Sequence, residues 1–66
     1  MAIYLTPKEQ QIKKVINRKY PLLAKKLGND LDSFVAQLST ETAETLIFEF
    51  GLTLFRKQVL DLMKKI

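Results

Sequence analysis

The sequence predicts an all-α fold, a small helical bundle of three short helices plus one long C-terminal helix, dimeric through that last helix. Three observations predict it. An apolar series at helical spacing runs through the first third of the chain. A second and longer one runs through the last third. Start and stop signals for helices separate them. With 66 residues the chain reads as a single helical domain, 1–66, near the lower size limit for a self-sufficient core. Leu, Ile, Val and Phe make up 23 of those residues, far above the level at which charged chains stay disordered.

The first helix is announced by Thr6-Pro7-Lys8-Glu9. A threonine hydroxyl caps the first turn, proline suits the first helical position because no N–H is needed there, and Glu9 completes a capping box. Ile12, Val15, Ile16, Tyr20, Leu23 and Leu27 follow in one helical phase. Pro21 interrupts the stripe, since its ring clashes with the preceding turn and it donates no hydrogen bond. The reading is helix over 7–19 and helix over 21–27. Gly28-Asn29 stops the second helix through a left-handed cap. Asp30 is expected to cap a third helix that buries Leu31, Phe34, Val35 and Leu38.

The last helix is expected over 41–66, capped by Ser39 or Thr40. Glu41 and Glu44 stand near its start and Lys64 and Lys65 near its end, as the helix dipole favours. Phe48, Leu52, Phe55, Val59, Leu62 and Ile66 fall within about 40° of one line, a heptad-like seam. Ala43, Leu46, Ile47, Phe50 and Leu54 form a second apolar face opposite the seam. A helix apolar on two sides must be covered on two sides, and three short helices cover one. A second copy is the simplest cover, so the seam is the predicted dimer or partner interface. Gly51, between the faces, costs about 1 kcal/mol of helix propensity and admits a close neighbour. Residues 45–55 also alternate with the period of a strand; the continuation in phase to Ile66 favours the helix.

Composition narrows the function. There is no Cys and no His, which removes disulfides, zinc sites and the commonest general base. No metal, no cofactor and no enzymatic activity is expected. No apolar run is long enough for a membrane span. Met1 to Leu5 lacks the pattern of a secretory signal, so the expected location is the cytoplasm. An amphipathic membrane helix over 52–66 would spend the apolar face that the core needs, and no membrane partner is expected.

The net charge of +4 comes in blocks of +6 over residues 1–28, −5 over 29–50 and +3 over 51–66. Such blocks can pair within the fold, pair between subunits or face an anionic partner. Lys13, Lys14, Arg18, Lys25 and Lys26 are the candidate nucleic-acid contacts, suited to phosphates rather than to base readout.

Leu23-Ala24-Lys25-Lys26-Leu27-Gly28 resembles the middle of a helix-turn-helix, in which a first helix turns into a recognition helix. The likeness covers about 20 residues and departs at Asn29, where an apolar residue is the rule. It would make the segment that buries Phe34, Val35 and Leu38 the reading helix, yet that segment offers Asp32, Ser33, Gln37 and Ser39, with Asp30 and Glu41 at its ends, and no Arg or Lys. The sequence therefore points first to a non-enzymatic, self-associating protein-interaction or regulatory module with a protein partner. Its alternative is a nucleic-acid-binding protein using the basic residues of 8–26.

Overall fold

The structure, a computed structural model, describes residues 4–65. It is all-α: α1 (Pro7–Lys19), α2 (Pro21–Leu27), α3 (Leu31–Gln37), α4 (Ala43–Glu49) and α5 (Arg56–Lys64), with 3-10 turns at Gly28–Asp30 and Thr53–Phe55. There is no strand among the described residues, so the alternation in 45–55 is not a sheet.

α1 and α2 lie where proline chemistry puts them. The Thr6 hydroxyl accepts from the Glu9 N–H at 3.2 Å, and the Glu9 carboxylate accepts from the Thr6 N–H at 2.9 Å. Tyr20 then leaves the helical region (φ −128°), which frees Pro21 to open α2 at its first position. Gly28 closes α2 with φ 53° and ψ −120°, a combination only glycine adopts readily.

Two expected caps are corrected. Asp30 caps nothing: it already has helical dihedrals (φ −86°, ψ −1°) inside the 3-10 turn, whereas a capping residue is extended. α4 is capped by Thr42, not by Ser39 or Thr40. The extended Thr42 accepts from the Thr45 N–H at 3.2 Å. The Thr40 hydroxyl instead donates back to the Gln37 carbonyl, and Glu41 stays outside the helix.

The largest correction is that the long C-terminal helix is two helices. α4 ends at Glu49, and Gly51 turns the chain with φ 64°. The Leu52 N–H reaches the Ile47 carbonyl at 2.9 Å, and the Gly51 N–H reaches the Phe48 carbonyl at 3.4 Å. This is a Schellman closure, and its usual apolar partners are Ile47 and Leu52, both buried. Gly51 is therefore not a helix residue carrying a propensity cost. It is a left-handed stop made favourable by the leucine that follows it.

That turn resolves the two-sided apolarity. A straight helix would hold Leu46 and Ile47 on one side and Leu52, Val59 and Leu62 on the other. After the turn all five enter one core. There they join Ile16 of α1, Leu23 and Leu27 of α2, Leu31, Phe34 and Val35 of α3, and Leu38. Phe34 meets Phe50 edge to face, with ring centroids 5.5 Å apart at 80°, an arrangement the ring quadrupoles favour. No polar side chain is buried in this core among the described residues.

Candidate interaction surfaces

The predicted interface residues separate into three groups. Leu52, Val59 and Leu62 are buried within the chain, and Phe55 is half-buried against the core. As contact residues for a second copy Leu52, Val59 and Leu62 are corrected: the Gly51 turn has spent them inside, while Phe55 keeps part of its surface open. Phe48 stands 90% exposed on α4. Ile66 lies outside the described residues.

The apolar surface is carried by other residues. Leu54 is 94% exposed and Leu60 is 38% exposed. Both line an open groove of about 630 Å³, with Tyr20 as a further wall and Lys57 and Lys64 among its charged residues. Leu54 sat in the second apolar face of the sequence, but nothing in periodicity says which member of that face the turn would leave outside.

At one side of this groove three charged or polar groups form a clasp. The Tyr20 hydroxyl donates to Asp61 Oδ2. Lys65 Nζ lies 3.4 Å from both the Tyr20 oxygen and Asp61 Oδ2, and 5.8 Å from the tyrosine ring centroid. The Tyr20 hydrogen bond, then the nearby Lys65 charge, holds the Asp61 carboxyl below the usual carboxylate range. The same tyrosine and Asp61 hold the Lys65 ammonium above its ordinary value.

The basic candidates divide as well. Lys13 faces α3, with its ammonium 2.7 Å from Asp32 Oδ1, an oxygen with no other hydrogen-bond partner. So one member of the basic block does pair with the acidic block, and as a nucleic-acid contact Lys13 is corrected. Lys14, Arg18, Lys25 and Lys26 are exposed, and none of them forms an ion pair among the described residues. The difference between neighbours Lys13 and Lys14 follows from the ~100° between successive helical residues. One points along the α3 contact and the other points away from it.

The structure adds three bases to the five candidate contacts: Lys8 and Lys19, within the basic span 8–26, and Lys65, outside it. Gln11, Lys14 and Arg18 lie opposite the buried Ile16 on α1, with Lys8, Val15 and Lys19 along one flank. Two shallow furrows share Gln11 and Val15 as walls. The first, about 290 Å³, is edged by Lys8, Lys19 and Lys65. The second, about 240 Å³, is edged by Lys14 and Arg18. A helical wheel would have found Lys8 and Lys19; Lys65 arrives from α5 and needed the fold.

The helix-turn-helix likeness does not extend to a reading helix. Every residue of α3 is buried or partly covered, because α1 and α2 both pack on it. It is the central helix of the domain and presents no side for a groove of DNA.

Comparison with protein-family models, with curated proteins and with solved structures finds no match to this chain. No helix among the described residues is long and apolar enough to cross a membrane.

Proposed function

We propose that the chain is a small non-enzymatic interaction module of the cytoplasm that pairs with a second copy of itself through the outer faces of α4 and α5. The observation that carries this reading is the near-complete exposure of Phe48 and Leu54 in a segment that buries Leu46, Ile47, Leu52, Val59 and Leu62. Leu54 and Leu60 border one open groove, and an apolar surface rimmed by polar residues is where a protein contact forms.

Charge favours a second copy as the occupant. Phe48 has the exposed Glu49 beside it, while the groove at Leu54 and Leu60 is lined by the exposed Lys57 and Lys64 and by one acid, Asp61, which is paired with Tyr20 and Lys65. An apolar knob with an acidic neighbour and an apolar groove with basic neighbours are complementary in both respects. Carried by one chain, they satisfy a two-fold pair in which each copy gives its knob and receives the other's. The contact is small, so the association depends on protein concentration.

Sedimentation equilibrium tests it. The wild type is expected to move with concentration from 7.6 kDa towards twice that mass, and Phe48→Asp or Leu54→Asp to hold it at the monomer mass. Glu49→Lys alone and Lys57→Glu with Lys64→Glu alone are each expected to be monomeric, because each sets like charges together. An equal mixture of the two restores the dimer, because both contacts are then complementary. A wild type that stays monomeric to millimolar concentration refutes the pairing. So does a mixture that stays monomeric while the wild type dimerises.

A further inference from the structure

We propose that the basic face of α1 binds the sugar-phosphate backbone of duplex nucleic acid, without reading its sequence. The face shares no residue with the groove of the proposed dimer contact, so the two readings stand or fall separately.

Its geometry carries the argument. Lys8, Lys14, Arg18 and Lys19 all leave one side of α1, and Lys65 adds a fifth cation from α5 across the furrow. Of these five, only Lys65 has a carboxylate partner among the described residues. The one acid on α1, Glu9, is turned back into the capping box. The acids that could have neutralised the face are engaged elsewhere. Asp32 holds Lys13 on the opposite flank, and Glu44 holds Arg56 between α4 and α5. The fold thus keeps the α1 side of this face positive, with Asp61 beside Lys65 as the one carboxylate paired to a cation of the face among the described residues.

The shape selects among anionic partners. From Lys8 to Lys19 is 11 residues, or about 16 Å of helix, the length of roughly five base pairs of duplex. Gln11, at the centre between the cations, offers an amide to a phosphate oxygen or a sugar. No aromatic side chain lines either furrow, so the face lacks the platform on which single-stranded bases stack. Ile12 and Val15 line the furrows but are partly covered, and Ile16 is buried, so the face offers no exposed apolar side chain of α1 to insert into a lipid surface. Contacts to phosphates alone give binding that is indifferent to sequence and steep in salt.

Fluorescence anisotropy with a labelled duplex of about 20 base pairs, titrated from 50 to 200 mM salt, tests it. With four to five phosphate contacts, the log–log salt slope is expected near −4. Two unrelated duplex sequences are expected to bind within about twofold of each other, as purely backbone contacts require. Lys14→Glu with Arg18→Glu is expected to lower affinity at least tenfold at 50 mM salt while its circular dichroism stays that of the wild type. Both side chains are exposed and unpaired, so folding does not depend on them. Lys13→Gln is expected to leave affinity within about twofold, and this separates the assigned face from general positive charge. Absence of duplex binding at 50 mM salt overturns the proposal. So does equal loss in Lys13→Gln and in the double variant, or tighter binding to phosphatidylserine vesicles or to a single strand than to the duplex.

Discussion

The chain bends sharply twice between helices that would otherwise run on, at Tyr20-Pro21 and at Phe50-Gly51-Leu52, and the two bends work by different physics. The first is a prohibition. Proline at position 21 cannot continue α1, so the helix ends whatever surrounds it, and the apolar stripe resumes in α2 with Leu23 and Leu27 still facing the core. The second is a permission. Gly51 allows the left-handed conformation without requiring it, and the turn is selected because Leu52 and Ile47 gain burial together. A prohibited helix bends in any context; a permitted one bends only where a core rewards it.

The comparison predicts where each bend breaks. The largest effect is expected from Leu52→Ala. Leu52 is wholly buried, and removing its side chain costs about 2–5 kcal/mol and the apolar closure of the turn with it. Urea denaturation followed by circular dichroism measures the loss, which is expected to exceed that of any change at Pro21.

Gly51→Ala comes next. A Cβ there meets no atom within 4 Å, so the cost is the left-handed backbone alone, about 1–2 kcal/mol. Pro21→Ala is expected to cost less, about 0.4–1 kcal/mol, through a more flexible unfolded chain. If Pro21→Ala proves the more destabilising of the two, the distinction between prohibition and permission is wrong.

A smaller effect is expected at the brace of the second bend, where Arg56 grips the Glu44 carboxylate with both guanidinium nitrogens across the turn. The pair is exposed, and Arg56→Ala is expected to cost under about 1 kcal/mol. The loss shrinks in high salt, because ions screen the pair. Thermal melts at two salt concentrations decide this.

The smallest effect belongs to Tyr20→Phe, and it shows in pH dependence. The Asp61 carboxyl is held below its ordinary value in the folded chain. Its contribution is therefore complete above the ordinary carboxylate range and is lost as pH falls through the folded value. Lys65, held above its ordinary value, contributes fully below the ordinary lysine range and loses that contribution as pH rises through the folded one. Melting temperature against pH is expected to flatten slightly at both extremes in Tyr20→Phe and to match the wild type near neutrality.

The first bend was legible in the sequence and the second was not. Proline's rule is local, so Pro21 and the Thr6-Pro7-Glu9 signal fixed both ends of α1 and the start of α2. Gly51 depends on what Leu52 touches, which no local pattern holds. The 3,4 spacing from Phe48 to Leu62 reported truly that Leu52, Val59 and Leu62 are buried. Phe48, first in the same series, is 90% exposed, because spacing does not tell whether the helix axis is continuous. The candidate surfaces follow the same division. Lys14 and Arg18 could be placed from helical angles alone, whereas Lys13 is withdrawn by Asp32, 19 residues away in the chain. Leu54 is exposed only because the axis turns before it.

The clasp at Tyr20 ties the last turn of α5 to the junction of α1 and α2. The terminal turn of a helix ordinarily frays on its own, with amides that exchange readily with solvent. Here fraying of that turn also releases the hinge residue between the first two helices. Opening of the last turn of α5 is thus coupled to the α1–α2 junction, because Tyr20 belongs to the clasp and to the hinge.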